Sequence, residues 1–370
     1  MLPLRDLYNE RMLLDVGEAL RELHPAFDPQ GFAASAMEEP WEKASFKERT
    51  RLAALALGRF LPPSFPEAAA LVCEAAERFR GLEYILFPDF VELFGLEHRE
   101  TAMDALARLT RRSTSEFAVR AFLLADPAWA MERLGRWSRD PDEHVRRLAT
   151  EGSRPRLPWG QRLPMFVRDP GPTLALLEPL LADESEYVRR SVANHLNDIA
   201  KDHPERVLEL AERHLGRDAA SDWTLRHASR TLLKQGHPQA LRRFGFAPAA
   251  QVSAHGLQVL TPVVPFGGRL EFAFEIRNEG EPVQLRLEYE IGFVKASGRR
   301  AGKRFKLSER VYPHGSTPVV RSHAIKPITT RKYYPGLQSI TLLINGEPQG
   351  ELGFELTMEP AAAGGEAAEG

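Results

Sequence analysis

Along the run Val188-Arg-Arg-Ser-Val-Ala-Asn-His-Leu-Asn-Asp198, helical spacing sorts the side chains by chemistry. Arg190, Asn194, Asn197, Asp198 and Lys201 fall on one face, because residues three and four apart are neighbours on a helix. Val188, Val192, Leu196 and Ile199 take the opposite, apolar face, and His195 points sideways from the polar stripe. The polar face holds one carboxylate among cations and amides. Such a surface grips phosphates and presents a single negative group to something cationic.

Two more acids sit near basic positions. Glu116 begins the helical segment Glu-Phe-Ala-Val-Arg-Ala-Phe, and Glu151 ends the helix of Val145-Arg-Arg, one turn after Arg147. Each acid has a structural reading beside a catalytic one. Trp129 and Trp137 lie eight apart on one helical face and belong to the core. Trp159, between Pro158 and Gly160, is harder to explain as core, and an indole in a loop can stack on a sugar or base.

Positive charge is unevenly distributed. From Lys295 to Lys332 there are eleven Lys and Arg against one acid, Glu309. Gly298 and Gly302 suggest a flexible loop or hairpin tip carrying Arg299, Arg300, Lys303, Arg304 and Lys306. Such a loop can follow a phosphate backbone. The alternative is a strand edge blunted by charge against aggregation. Arg226, Arg230 and Lys234 are spaced four apart and form a stripe. Arg146-Arg147 and Arg189-Arg190 recur in equivalent segments, where one Arg of each pair is expected to stack repeats together.

The elements that must position these groups divide by period. From the N-terminus to about Phe246 the pattern is helical. Leu4, Tyr8, Met12, Val16 and Leu20 form an apolar row, and helical patterns follow at 47–60, 66–78, 99–109 and 115–124. Asp140-Pro-Asp-Glu-His-Val-Arg-Arg resembles Asp183-Glu-Ser-Glu-Tyr-Val-Arg-Arg at an offset of 43 residues, and Asp222-Trp-Thr-Leu-Arg-His is a weaker third copy. That period suits stacked HEAT-like helical hairpins. After about Ala250 the period is two: Leu270, Phe272, Phe274 and Ile276 alternate with charged residues, as do later runs, and Asn345-Gly346 signals a hairpin. The predicted fold is mainly α, a HEAT-like solenoid followed by a small immunoglobulin-like β-sandwich. The expected divisions are 1–246 helical repeats, 247–255 linker, 256–359 sandwich and 360–370 disordered tail.

Bulk composition narrows the classes. The 370 residues suffice for two domains, and no apolar stretch is long enough to span a membrane. A single cysteine, Cys73, excludes an intramolecular disulfide and a cysteine-based zinc site, and points to a cytosolic protein. Cys73 itself reads as packing. No His/Asp/Glu spacing of the zinc kind, phosphate-binding glycine loop or Gly-x-Ser-x-Gly elbow is present, so neither metal nor cofactor is expected.

Glu151-Gly-Ser-Arg-Pro-Arg-Leu-Pro-Trp-Gly and Ser185-Glu-Tyr-Val-Arg-Arg-Ser-Val-Ala-Asn-His-Leu-Asn-Asp-Ile-Ala-Lys-Asp-His-Pro look like signature stretches of the AlkC-type DNA alkylation-repair glycosylases, relatives of AlkD. The resemblance covers roughly residues 1–246, and the sandwich is similar to the extension of one branch of that family. It implies hydrolysis of the N-glycosidic bond of alkylated bases, chiefly 3-methyladenine and 3-methylcytosine, in duplex DNA and without a base-sized flipping pocket. It further implies Asp198, Glu151 and Glu116 as candidate carboxylates, Asp198 first, with Trp159 as their aromatic neighbour. Arg147, Arg154, Arg156, Arg189, Arg190, Asn194, Lys201, Arg226, His227, Arg230 and Lys234 would then hold DNA together with the basic run. A monofunctional monomer with no obligate protein partner is expected. The rival readings are a non-catalytic DNA-binding scaffold or damage sensor, since helical repeats are shared by many functions, and a protein–protein adaptor.

Overall fold

The computed structural model describes residues 3–246, 250–328 and 331–360. The chain divides into two compact units, Met1–Ala228 and Ser229–Gly370. The first contains α1 (Glu10–Leu23), α2 (Pro29–Ala36), α3 (Phe46–Phe60), α4 (Phe65–Ala76), α5 (Leu86–Phe94), α6 (Arg99–Leu109) and α7 (Val119–Ala125). It continues with α8 (Pro127–Trp137), α9 (Glu143–Gly152), α10 (Pro164–Arg168), α11 (Gly171–Leu177), α12 (Glu186–Ile199), α13 (Pro204–His214) and α14 (Ala219–Ala228). The apolar row from Leu4 to Leu20 is not one helix. A 3-10 turn covers Leu4–Leu7, and the Asn9 side chain then accepts from the Met12 backbone N–H at 3.0 Å, capping α1.

The 43-residue repeat is written in hydrogen bonds. Val145 and Val188 are fully buried at equivalent places. Arg146 Nη1 donates to the carbonyls of Asp140 and Pro141, and Arg189 Nη1 donates to those of Asp183 and Glu184. Asp140 and Asp183 each accept a backbone N–H two residues on, at 2.9 Å. The Arg146 guanidinium also reaches Asp183 bidentately at 2.8 and 3.0 Å, joining one repeat to the next. As expected, one Arg of the first pair stacks repeats. Helix α9 packs on α12, and α12 on α14.

The second unit begins with α15 (Arg230–Gln235) and α16 (Pro238–Arg243). Its strands are β1 (Val252–Val259), β2 (Val263–Phe266), β3 (Arg269–Asn278), β4 (Val283–Val294), β5 (Arg300–Tyr312), β6 (Gly315–Ala324), β7 (Gly336–Ile344) and β8 (Glu347–Pro360). They form a three-stranded sheet, β1-β3-β6, and a five-stranded sheet, β2-β8-β7-β4-β5. Leu270, Phe272, Phe274 and Ile276 of β3 join Leu285, Leu287, Tyr289 and Ile291 of β4 in one core between the sheets. Alternation puts these apolar residues on one face of each strand. Asn345 and Gly346, both with positive φ (49° and 83°), turn β7 into β8.

Two boundaries differ from the sequence reading. Helices α15 and α16, assigned there to the helical half, are grouped with the strands. Gly236 ends α15 with φ 73° and lies so close to Gly346 that a Cβ on Gly346 would stand 3.0 Å from the Gly236 Cα. Only glycine permits that backbone approach. Within the expected linker, residues 247–249 lie outside the described residues, whereas β1 already begins at Val252 and pairs with Asn278 of β3. The expected tail from residue 361 also lies outside the described residues.

Candidate active site

Glu116, Glu151 and Asp198 come together through three cations. Glu116 lies in the turn ahead of α7 rather than inside a helix, and its Oε2 accepts from Thr114 Oγ1 at 2.6 Å and from Arg147 Nη1. Arg147 Nη2 stands 3.8 Å from Glu151 Oε1. The same Glu151 oxygen accepts from Arg154 Nη1 at 2.5 Å. Arg154 Nε then donates to Asp198 Oδ2 at 2.9 Å, and Lys201 Nζ to Asp198 Oδ1 at 2.8 Å. The result is an alternating chain: Glu116, Arg147, Glu151, Arg154, Asp198, Lys201. Helix α9 supplies Arg147 and Glu151, one turn apart, and α12 supplies Asp198 from the next repeat.

All of this chain but the exposed Lys201 is withdrawn from solvent, where the sequence predicts a solvent face. Asp198 is 2% exposed, Glu151 5% and Arg154 8%. Asp198 and Asn197 of the polar stripe of α12 are buried, and α12 packs on α9, where Ser191 adds to the interface. Ser191 Oγ donates to Glu151 Oε2 at 2.6 Å and accepts from Thr150 Oγ1 at 2.7 Å. His195 is fully buried rather than sideways, with Nδ1 2.9 Å from the Thr150 carbonyl, which makes that nitrogen the donor. Burial pushes the His195 pKa down to about 4, so the ring is neutral at pH 7. Burial also works against the charge on Arg147 and Arg154. The flanking carboxylates outweigh it and raise both pKa values above the ordinary arginine range.

The loop after α9 leads away from this chain. Trp159 is 62% exposed, with φ 62°, and its ring lies 6.4 Å from that of Phe46. Arg156 donates to both oxygens of Asp202 at 3.0 and 2.8 Å, tying the loop to the residues just after α12. Tyr187, 45% exposed, lies over the Arg147 guanidinium at 5.3 Å.

Two domain-sized family models match. The model described as DNA alkylation repair enzyme matches residues 98–232, and the model described as the C-terminal Ig-like domain of the uncharacterised protein YhaZ matches 253–358. YhaZ of Bacillus subtilis is 42% identical over 96% of this chain and all of its own. The solved structure of Pseudomonas fluorescens alkylpurine DNA glycosylase AlkC, bound to DNA containing an abasic site analogue, is 38% identical. It covers 96% of this chain and 99% of its own, with a TM-score of 0.92. The chain belongs to the AlkC-type family of DNA alkylation repair glycosylases. It is of the branch with an immunoglobulin-like domain, as its two matched segments require.

Other expected site residues of this AlkC-type chain are dispersed. Arg189 serves backbone carbonyls and lies 5.9 Å from the Trp223 ring, on which His227 stacks at 5.3 Å. Arg190 pairs with Glu186 at 2.5 Å on an exposed face. Asn194 is half-buried on α12. The stripe of Arg226, Arg230 and Lys234 is broken: α14 ends at Ala228, so Arg226 belongs to the first unit and the other two to the second. The basic run is not a loop. Arg299 lies in the turn before β5, while Arg300, Lys303, Arg304 and Lys306 are on that edge strand, Gly302 opposite Gly292. Arg304 pairs with Glu290 at 2.9 Å, and Arg300 Nε donates to the Leu337 carbonyl at 3.1 Å. Thr150, Ser191 and Tyr187 were missed by sequence reasoning. For Ser191 and Tyr187 the helical spacing of seven and eleven residues from Asp198 is a local signal, whereas Thr150, adjacent to Glu151, has none.

Proposed function

We propose that this chain is a monofunctional DNA N-glycosylase that releases cationic N-alkylated bases, 3-methyladenine and 3-methylcytosine, from duplex DNA by hydrolysis, without a base-sized flipping pocket. The observation that carries the reading is the alternating chain from Glu116 to Lys201 at the foot of the loop that exposes Trp159. N-alkylation places positive charge on the base, which leaves as a neutral molecule and needs little acid assistance. The deoxyribose then becomes oxocarbenium-like, and a fixed carboxylate close to the sugar stabilises that cation and orients water. Asp198 is assigned this role first, with Glu151 and Glu116 completing the anionic set. Trp159 offers an aromatic face to a cationic base.

Arg147 and Arg154 are largely buried against carboxylates, with side chains 14% and 10% exposed, so their assigned role is to fix the acids. Phosphate contact falls to Arg156, Arg190, Asn194, Lys201, Arg226, His227, Arg230, Lys234 and the basic strand. No helix among the described residues is long and apolar enough to cross a membrane. The protein is proposed to act as a monomer in the bacterial cytosol.

The test is single-turnover release of 3-methyladenine and 3-methylcytosine from alkylated duplex DNA by wild type and Asp198→Asn. Release by wild type with a loss of about a hundredfold or more in the variant is expected for a removed transition-state carboxylate. Equal release by both moves the chemistry to Glu151 or Glu116. DNA binding with no release of either base rejects the glycosylase reading in favour of a binding scaffold.

A further inference from the structure

Arg120 is 1% exposed, on α7, and among the described residues no carboxylate lies within salt-bridge distance of it. Its guanidinium donates instead to three backbone carbonyls of one segment: Gly152 and Arg154, each at 2.8 Å, and Gln161 at 2.6 Å. Gly152 closes α9, so the cation sits at the negative end of that helix, beneath carbonyls with no partner inside it. Arg154 and Gln161 bracket the loop that carries Trp159. One rigid fork therefore fastens both ends of that loop to α7, whose Val119 also packs against Gly152.

The buried guanidinium is costly to hold. Burial lowers its pKa to about 10, with the nearby Arg154 acting in the same direction and Glu116, Glu151 and Asp198 opposing. It remains charged at neutral pH. A side chain that served only to fill space would be apolar here, among Val119, Phe122 and Leu123, which are all buried. The planar fork does what an apolar residue cannot: it sets the separation of three carbonyls. Two consequences follow along the chain. The Arg154 backbone is fixed, and with it the guanidinium that bridges Glu151 and Asp198. The loop path is fixed as well, and with it Trp159 in its left-handed conformation.

We propose that Arg120 is a positioning residue that clamps the 152–161 loop and so sets the geometry of both the carboxylate chain and Trp159. The proposal rests on the glycosylase reading for its catalytic consequence but not for its structural one. The experiment therefore reads both, on the full chain, in Arg120→Ala and Arg120→Lys. Limited trypsin digestion reports the loop directly, because Arg156 lies in it and Arg162 directly follows it. Cleavage after these two residues should be about tenfold faster in the variants, as expected for a local opening made easier, with other sites unchanged. Single-turnover base release should fall by up to about a hundredfold, the scale of a misplaced reacting group, while Kd for duplex DNA holds. Added guanidinium should restore part of the rate in Arg120→Ala. Arg120→Lys keeps the charge and most of the volume, and carries the test if the alanine variant does not fold.

Loop cleavage at the wild-type rate with release within about twofold of wild type would overturn the clamp. So would a uniform rise in cleavage at all sites, which marks a purely structural residue. If wild type releases no base, the glycosylase reading fails and the clamp is still decided by the digestion.

Discussion

Glu151 and Asp198, on helices of successive repeats, are held by opposite edges of one guanidinium. Arg154 Nη1 donates to Glu151 at 2.5 Å and Nε to Asp198 at 2.9 Å. Both acids are almost fully buried in the free protein. Removing one member of a buried pair costs about 3–5 kcal/mol, because a buried charge is left uncompensated. Arg154→Met should therefore destabilise the protein by about that amount at pH 7. Urea unfolding of wild type and variant at pH 7 checks this. A penalty below about 1 kcal/mol, the scale of an exposed pair, would contradict the assignment of Arg154 as the shared counter-charge.

His195 gives a pH dependence of known sign. Its pKa is about 4 in the folded chain, against an ordinary 6.5, because burial excludes the charged ring. The unfolded chain binds the proton first. Stability from this group is thus fully present above pH 6.5 and is lost as pH falls from there towards 4. Over that window the loss is about 3 kcal/mol at about 1.4 kcal/mol per unit. His195→Gln should flatten the difference in stability between pH 7 and pH 4.5 relative to wild type. An unchanged slope would mean that His195 is protonated in the folded protein.

How far the sequence reveals this site depends on the range of the interactions. The strands were legible because burial between two sheets imposes period two on residues such as Leu270 to Ile276. The 43-residue repeat was legible because Val145 and Val188, with their arginines, meet the same neighbours twice. The burial of Asp198 was not. A polar stripe facing another helix has the same spacing as one facing water, and its partner Arg154 is distant in sequence. Arg120 left no trace for the same reason, since all its acceptors lie more than thirty residues on. The glycines of the basic run suggest a flexible loop or hairpin tip, and the structure matches the alternative of a charged strand edge. Gly302 lies within the strand, beside the Glu290 side chain that pairs with Arg304.

The duplicated Arg-Arg pair predicts unequal consequences for chemically equal substitutions. Arg146 and Asp183 have side chains 9% and 5% exposed and bridge two repeats, whereas the Arg190–Glu186 pair is 62% and 58% exposed within one helix. Arg146→Met should cost about 3 kcal/mol, and Arg190→Met less than about 0.5 kcal/mol. Combined with Asp183→Asn, Arg146→Met should cost less than the sum of the two single changes, since either alone strands the other partner. Thermal or urea unfolding of the four proteins completes the cycle. Additivity would mean that the two residues do not share an interaction across the repeats.

The basic strand predicts a salt signature rather than a stability change. Lys303 and Lys306 lie on β5, at the edge of the five-stranded sheet, and Arg300 and Arg304 on the same strand are engaged by Leu337 and Glu290. Lys306 Nζ lies 3.8 Å from Glu309 Oε2 but its side chain is 57% exposed, and the two lysines are the cations of this strand proposed to meet phosphates. Each phosphate neutralised on duplex DNA adds about 0.9 to the slope of log K against log salt. Lys303→Gln with Lys306→Gln should weaken binding to any duplex sequence and lower that slope by about 1.8 if both contact phosphates. Single-turnover release at saturating protein should hold, because the carboxylate chain lies wholly in the first unit. An unchanged slope would leave the lysines with the edge-protecting role that charged residues serve on unpaired strands. A fall in release at saturation, with binding intact, would instead place the second unit in the chemical step.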